Sequence, residues 1–418
     1  MAEPERAYVW TWLPGALAPV PAGLLRREGE ITWFNYGRSY LDREDAIPLY
    51  LPELPLRAGA IRPLGNLSVA GCIRDAGPDA WGQRVILARQ VGHLDRSSDT
   101  AELGLLTLLL ESSSDRVGAL DFQASPTEYT PRTGTATLEE AQTAAARFLA
   151  GEELSLELAT ALFRGTSIGG ARPKVLLRSG TDEVVAKLSM ASDPYPVVKA
   201  EGVAMDLARR VGIDVASTEV TESLGHDVLL VHRFDRVPSG GARPDAAGRR
   251  MVVSALTILG LDDMSGRWAT YHELADLIRA RFADPDATLR ELFRRIVFNI
   301  CVGNTDDHAR NHAAFWDGKI LSLTPAYDLC PQLRSGETAT QAMAIGRDGQ
   351  RSSRLAVCVE ASDVYHLSRR EATEICEHQV AVITGSWQEA ADQARLTVAE
   401  RQGLWGRQII NPAIHYED

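Results

Sequence analysis

The chain has 418 residues, 45% of them hydrophobic and 24% charged, which suits a globular protein of two or three domains with a large buried core. Its net charge of −12 argues against broad, unaided binding to nucleic acid, which needs clustered cations. The sequence shows neither a signal peptide nor an apolar run near the ~20 residues of a membrane span, and its five cysteines form no CxxC pair, so we expect a cytoplasmic protein with reduced thiols.

The first part of the chain, residues 1–125, is rich in short strand-like segments and turns. Tyr8–Trp12 and Ile31–Phe34 alternate in polarity and are separated by Gly and Pro. The apolar run Leu103–Leu110 is too short for a membrane span and predicts a buried helix. The polar segment Ser125–Gly134 contains two prolines and is typical of a linker.

A glycine-containing loop, Ser167–Lys174, follows the linker. Its two glycines, Gly169 and Gly170, let the backbone approach an anion closely. The loop is not a Walker loop and lacks the full GxGxxG pattern. A glycine-rich turn between packed elements explains it about as well, so the loop by itself does not define a phosphate site.

Two strands, a helix and another strand are predicted after this loop. The second strand contains Lys187, the helix Val197–Val211 contains Glu201, and the last strand is Val228–Phe234. This order is that of the amino-terminal lobe of a protein kinase, in which the lysine pairs with the helix glutamate and with nucleotide phosphates. The alternative is an edge-strand lysine whose ammonium group reaches water.

The remainder of the chain is predicted to be mostly helical. Pro238–Arg250 is rich in Gly, Pro and Arg and is interpreted as an exposed loop. Beyond it, Thr288–Cys301 has apolar residues on one helical face. Ser368–Val382 starts with a capping-box pair and predicts a further helix, and Trp387–Trp405 predicts the last one.

Asp306, Asn311 and Asp328 form the most informative pattern. Asp306 precedes Asn311 by five residues, as the catalytic Asp of a protein kinase precedes a metal-binding Asn, and a second metal-binding Asp follows in such enzymes. Asp306 would deprotonate an acceptor hydroxyl, and the other two would hold Mg²⁺ through hard oxygen ligands. His308 could orient this loop by hydrogen bonding, serve as a metal ligand or be a structural histidine. The alternative is a set of ordinary turn and helix-cap residues.

A hairpin is predicted between Asn311 and Asp328. The apolar run Ala313–Trp316, the Asp317-Gly318 pair and the alternating Lys319–Leu323 favour two strands joined by a tight two-residue turn. Such a hairpin would return Asp328 beside Asn311, so that both could hold one metal ion.

Six short segments occur together in one order. They are Pro78–Gly82, Arg116–Leu120, Ser167–Lys174, Arg233–Arg236, Asn304–Asn311 and Pro325–Asp328. Together they resemble the HipA-type serine/threonine kinases of bacterial toxin–antitoxin systems, over nearly the whole chain. The resemblance implies an α+β, protein-kinase-like fold of two lobes. Its parts would be a HipA-like N-terminal subdomain (1–125), a kinase-like N-lobe with the nucleotide loop (126–236) and a helical C-lobe (237–418).

The resemblance also implies ATP and Mg²⁺ as cofactors and assigns roles to residues. Asp306 would be the catalytic base, and Asn311 and Asp328 the magnesium ligands. The cofactor-binding residues would be Ser167, Gly169, Gly170, Lys174, Lys187, Glu201, His232, Phe234, Asp235 and His308. His232 and Phe234 would form the hinge that meets adenine through the backbone; family members often have Glu where His232 stands. Ser167 would be autophosphorylated, which would eject the loop and switch the enzyme off.

The partners implied are a HipB-like helix-turn-helix antitoxin, which would supply the operator DNA contact, and a protein substrate of the aminoacyl-tRNA synthetase type. Two alternatives remain open. One is a small-molecule phosphotransferase, because such enzymes also place an Asp and an Asn five residues apart. The other is a catalytically inert, nucleotide-binding regulator of an antitoxin repressor.

Overall fold

The structure, a computed structural model, describes residues 3–91, 103–134, 136–152, 154–179, 182–238, 247–334 and 336–416. The amino-terminal elements are β1 (Arg6–Thr11), β2 (Val20–Glu28), β3 (Ile31–Tyr36), α1 (Arg38–Leu41), β4 (Ala60–Ile61), α2 (Gly71–Asp75), α3 (Ala80–Val91), α4 (Leu105–Glu111) and β5 (Leu120–Gln123). The strands form one antiparallel sheet in the order β4-β3-β2-β1-β5. Strand β3 buries every second residue, as predicted, and α4 is the predicted buried helix.

The next region contains a four-stranded antiparallel sheet and a long buried helix. Its elements are α5 (Leu138–Leu149), α6 (Leu156–Phe163), β6 (Lys174–Ser179), β7 (Asp182–Leu188), α7 (Val197–Arg210), β8 (Thr218–Ser223) and β9 (His226–His232). The strands lie in the order β6-β7-β9-β8. Lys187 on β7 lies opposite Lys174 on β6, and α7 packs on β8 and β9. The elements that carry Lys187 and Glu201 therefore follow each other in the predicted order.

The carboxy-terminal region is mostly helical and contains a small sheet. Its elements are β10 (Arg236–Pro238), β11 (Ala247–Arg249), β12 (Met251–Ser254), α8 (Ala255–Ile258), α9 (Tyr271–Arg281), α10 (Pro285–Val302), β13 (Ala313–Trp316), β14 (Leu321–Leu323), α11 (Leu355–Glu360), α12 (Arg369–Gln393) and α13 (Val398–Leu404). Strand β12 pairs with β13, and β13 pairs with β14. The segment predicted as a loop, Pro238–Arg250, starts at the last residue of β10 and includes β11, and these two strands pair with each other. Its residues 239–246 lie outside the described residues.

Two predictions about these elements need correction. The β13–β14 hairpin exists, but Trp316 pairs with Leu321, so four residues rather than two connect the strands. The Asp317 carboxylate accepts hydrogen bonds from the backbone N–H of Lys319 (2.8 Å) and Ile320 (2.9 Å), which stabilises the longer turn. The boundary between the last two predicted helices also differs, because the first helix extends to Gln393 and the second begins at Val398. Helix α12 continues for 25 residues through Gly385, because a single glycine weakens a packed helix without ending it.

The helix α10 places the candidate catalytic loop. Asp284 caps its start by accepting from the N–H of Ala287, and Pro285 occupies the first turn. The helix ends at Gly303, whose φ of 69° suits glycine, and a Cβ there would lie 2.6 Å from the Gln408 carbonyl oxygen. Residues 304–312 then run from this fixed point to β13.

One apolar core joins the amino-terminal sheet to the carboxy-terminal helices. The same cluster of buried side chains contains Phe34 of β3, Tyr50, and Phe293 and Ile296 of α10. The Trp316 ring packs edge-on against Tyr50, with centroids 5.6 Å apart, and its Nε1 donates to the Pro48 carbonyl at 2.9 Å. Within the described residues, no helix has the length and apolar character needed to span a membrane.

Candidate active site

The loop between α10 and β13 brings Asp306 and Asn311 together. The side chain of Asp306 is exposed, whereas that of Asn311 is buried. A short 3-10 turn, Ala309–Asn311, folds the loop back on itself, and the Asn311 Nδ2 donates to the backbone carbonyl of Asp306 at 3.2 Å. The spacing of five residues thus corresponds to one closed loop, with both side chains on the same short segment.

The electrostatic surroundings of Asp306 favour proton uptake. Desolvation by the surrounding protein atoms raises the pKa of the Asp306 carboxyl although the side chain can be reached from solvent; His308 opposes this shift, and the carboxylates of Asp328 and Asp307 add to it. A carboxylate with a raised pKa is a stronger base, so Asp306 is suited to receive a proton from a hydroxyl group.

Lys187 connects elements from both lobes. Its Nζ lies 2.6 Å from Oε1 of Glu201 on α7 and 2.5 Å from Oδ1 of Asp328. Burial opposes its charge, but these two carboxylates raise its pKa above the ordinary value. Lys187 in turn lowers the pKa of Asp328 to about 2, so Asp328 is ionised at neutral pH. The predicted pairing of Lys187 with Glu201 is present, and Asp328 shares the same ammonium group.

Asp328 has the properties expected of a magnesium ligand. It adopts a left-handed backbone with φ of 60°, which is uncommon for a residue other than glycine and is maintained by its surroundings. Its side chain is 45% exposed, so an oxygen remains accessible. Asp328 and Asn311 both offer hard oxygen ligands, and Mg²⁺ is commonly bound by one or two protein groups together with phosphate oxygens.

The described residues contain no group of three or more His, Cys, Asp and Glu side chains that could hold a metal by themselves. A cation at Asp328 and Asn311 would therefore depend on the ligand's own oxygens. The donor set fits a metal that arrives with a nucleotide better than a resident structural metal, and the magnesium site stays a prediction.

The glycine-containing loop is fixed by Asp79, a residue of the amino-terminal region. Gly170 has a φ of 105°, and its N–H donates to Oδ2 of Asp79 at 2.8 Å. The other oxygen of Asp79 lies 3.3 Å from the guanidinium of Arg310, in the loop of Asp306. Asp79 therefore links the glycine loop to the loop of Asp306. The sequence motif at Pro78–Gly82 contained it, but residue types alone did not indicate a role.

Ser167 is buried at 2% exposure, and its hydroxyl oxygen contacts no hydrogen-bond partner among the described residues. Phosphorylation at this oxygen would require the loop to leave its position. The predicted autophosphorylation therefore stays a prediction, and it concerns a conformation other than this one.

Lys174 is a second buried lysine near the glycine loop. Its Nζ donates to the Gly169 carbonyl. Burial and, to a smaller extent, the positive charge of Lys187 together lower the pKa of Lys174 to about 8. The buried ammonium group of Lys174 and the partly buried one of Lys187 form a region suited to a phosphate chain, because an anion would relieve their mutual repulsion.

The predicted hinge lies beside an aromatic cluster. Phe234 packs against Phe315 and Tyr327, with ring centroids 5.9 Å and 5.8 Å away. The backbone N–H of His232 donates to the Ser217 carbonyl at 2.9 Å, which leaves this group engaged within the sheet. A flat ring such as adenine could pack on the aromatic surface around Phe234. The contacts of His232 and Phe234 with adenine stay predictions.

Asp235 belongs to a buried cluster of ion pairs beside the predicted hinge. Its carboxylate is buried and accepts from Arg233 Nε (2.9 Å), Arg236 Nη1 (2.7 Å) and the N–H of Gly118 (2.7 Å). Burial opposes ionisation, but the two arginines lower the pKa of Asp235 well below its usual range. Both carboxylate oxygens accept hydrogen bonds within the protein, so Asp235 attaches the hinge to the amino-terminal subdomain, and its contact with the cofactor stays a prediction.

Two family models match the chain. The model described as HipA N-terminal domain matches residues 16–123, and the one described as HipA-like C-terminal domain matches residues 166–387. A Sinorhizobium fredii protein named "Putative kinase Y4mE" is 26% identical over 343 residues, which are 77% of each chain. The Shewanella oneidensis "Serine/threonine-protein kinase toxin HipA" is 25% identical over 185 residues, 39% of this chain and 42% of that protein.

A solved structure has the same fold. It is the complex of Shewanella oneidensis HipA, HipB and operator DNA, one chain of which superimposes with a TM-score of 0.63 at 18% identity. The alignment covers 98% of this chain and 100% of that chain. The protein therefore has a kinase-like α+β fold of the HipA type.

Proposed function

This chain belongs to the HipA family, and from that premise we propose that it is an ATP- and Mg²⁺-dependent serine/threonine protein kinase. The observation that carries the proposal is the ion-paired group Lys187–Glu201–Asp328 beside Asp306 and Asn311. A lysine paired with a helix glutamate, a base and two oxygen ligands are the groups that phosphoryl transfer requires.

Each group has a defined task in this proposal. Lys187 and Lys174 bind the phosphate chain, and the glycine loop covers it. Asn311 and Asp328 hold Mg²⁺, which would neutralise charge on the phosphates. Asp306 orients the acceptor hydroxyl and takes its proton. The exposure of Asp306 supports a protein acceptor, because a side chain on a large partner can reach it without entering a closed pocket.

The biological role is proposed from the relatives. We infer that the chain is the toxin of a toxin–antitoxin pair with a HipB-like helix-turn-helix protein as antitoxin. Operator DNA would be contacted mainly through the antitoxin, in keeping with the net charge of −12. The proposed substrate is a translation component such as an aminoacyl-tRNA synthetase.

The test is transfer of radiolabelled phosphate from ATP in a lysate of the host, with wild-type protein and the Asp306→Ala variant. We expect labelled protein bands, or labelled Ser167, with the wild type and at least a hundredfold less label with the variant. Label in small metabolites alone would indicate a small-molecule phosphotransferase. ATP binding without any transfer would indicate an inert regulator.

A further inference from the structure

The candidate catalytic loop contains one buried carboxylate. Asp307 is 1% exposed, and its Oδ2 accepts hydrogen bonds from three side chains. Asn299 Nδ2 of α10 donates at 2.7 Å, the Tyr271 hydroxyl of α9 donates, and His312 Nε2 lies at 2.8 Å. One oxygen atom therefore connects two helices with the beginning of β13.

The donors around Asp307 are fixed by further contacts. Asn304 Nδ2 donates to Asn299 Oδ1 at 2.9 Å, and its backbone N–H donates to the Asn299 carbonyl at 2.8 Å. The Tyr271 and His312 rings meet edge to face, with centroids 5.8 Å apart. His312 is 3% exposed, and its backbone carbonyl accepts from Ala255 at 2.7 Å. Each of the three donors is therefore held by at least one further contact.

Asp307 and His312 form a buried pair, and both residues are next to candidate functional residues in the sequence. Asp307 follows Asp306 and His312 follows Asn311, so each buried residue is the direct neighbour of a functional one. The interval of five residues occurs twice, once between the buried pair and once between the functional pair. Holding Asp307 to His312 fixes both ends of the segment that carries Asp306 and Asn311.

We propose that Asp307 and His312 are positioning residues that set the distance between Asp306 and Asn311. The inference rests on the proposed function and adds a role for two residues within it. Both side chains are buried, so the pair would act through the backbone of its neighbours. A displacement of about 1 Å in a catalytic group can reduce turnover by about 100-fold, so loss of this anchor should affect the chemical step.

The proposal separates turnover from nucleotide binding. Lys187, Lys174 and the hinge belong to other elements and make no contact with Asp307. Replacement of Asp307 should therefore lower kcat much more than it raises the KM for ATP. A general loss of folding would instead lower the amount of active protein and reduce the unfolding temperature in proportion.

The experiment measures phosphate transfer by the full-length Asp307→Ala and Asp307→Asn variants, together with their unfolding temperatures. We expect Asp307→Ala to lower kcat at least tenfold with less than a threefold change in KM for ATP. Asp307→Asn keeps an oxygen acceptor for the three donors and should recover part of kcat. His312→Ala should act like Asp307→Ala, and the double variant should be no worse than either, because the two act as one unit.

Ser353→Ala is the matched control, since it removes a buried hydrogen bond of 2.9 Å with Gln341 in the same lobe. It should lower the unfolding temperature without a loss of kcat. If Asp307→Ala fails to fold, Asp307→Asn decides the matter by the same kcat criterion. An active wild type with normal kcat in Asp307→Asn and His312→Ala would refute the positioning role. An inactive wild type would refute the proposed function itself.

Discussion

At the scale of single residues, Lys187 is the cation that pairs with two carboxylates of the candidate site. It neutralises Glu201, whose side chain is 6% exposed, and Asp328 from the other lobe. Burial raises the pKa of Glu201, so this carboxylate depends on a partner to stay ionised. Replacing Lys187 should therefore lower the stability of the protein and, for a different reason, its phosphate-transfer activity.

Lys187→Met should lower the free energy of unfolding by roughly 3 kcal/mol, because it leaves Glu201 buried without its cation. It should also abolish phosphate transfer. The double variant Lys187→Met, Glu201→Gln removes the buried charge and should recover part of the stability but none of the activity. Urea unfolding of the three proteins measures this, and a double variant less stable than Lys187→Met would contradict the account.

Glu183 offers a test by pH. Its carboxylate lies 2.9 Å from Arg236 and 2.8 Å from Arg178. Burial opposes ionisation, but the arginines lower the pKa of Glu183 to about 2 from an ordinary 4.5. A depressed pKa means that the stabilisation is complete above about pH 4.5 and is lost as the pH falls towards about 2. Its contribution at neutral pH is roughly 3 kcal/mol at most.

Glu183→Gln should therefore lower stability at pH 7 and flatten the fall in unfolding free energy between about pH 4.5 and 2. Glu374→Gln is the control, because Glu374 is 57% exposed and pairs with an exposed Arg370. It should change stability by less than about 1 kcal/mol. Equal acid sensitivity of the Glu183→Gln variant and the wild type would count against the buried pairing.

At the scale of elements, α3 determines where the glycine loop lies. A Cβ on Gly82 would be 2.0 Å from the Thr166 carbonyl oxygen. Only glycine at this position therefore allows α3 to lie so close to the start of the loop. Together with the bond from Gly170 to Asp79, this contact fixes the loop that carries Ser167.

Gly82→Ala should destabilise the protein by about 1–3 kcal/mol and raise the KM for ATP, because backbone must move. Gly385→Ala in α12 is the matched control, since nothing lies within 4 Å of its added Cβ. That change should stabilise the protein by about 0.5–1 kcal/mol through helix propensity. Thermal unfolding and ATP kinetics of both variants provide the measurement, and a neutral Gly82→Ala would show that the close approach is not needed.

Local contacts within these elements could be predicted from the sequence, whereas contacts between distant segments could not. The Ser368 capping box is local, so its spacing predicted the contacts that the structure contains, whereas the interval between Asp306 and Asn311 predicted roles in a site and not the hydrogen bond that joins them. The surroundings of Asp235 could be predicted only in part, because Arg233 and Arg236 are close to it in sequence, whereas Gly118 meets it only after the two regions pack. The roles of Asp79 and Asp307 depend on long-range partners in the same way, and no local pattern encodes them.

At the scale of the whole molecule, the amino-terminal subdomain is part of the same folded unit as the helical lobe. The apolar core continues from Phe34 to Phe293, and Gly118 donates directly to Asp235 at the hinge. A fragment of residues 126–418 should therefore expose core side chains, bind hydrophobic dyes and aggregate. The full chain should unfold in one transition by near-ultraviolet and far-ultraviolet circular dichroism. Two separate transitions, or a soluble and active fragment, would contradict a shared core.

The central claim is that this molecule transfers phosphate with Asp306 as base. The most direct measurement is the initial rate of γ-phosphate transfer from ATP to protein, with Mg²⁺, for the wild type, Asp306→Ala and Asp317→Ala. Asp317 is an exposed aspartate in the β13–β14 turn and serves as the control. The account predicts transfer by the wild type and Asp317→Ala and a loss of at least a hundredfold in Asp306→Ala. Equal rates for all three proteins would contradict it.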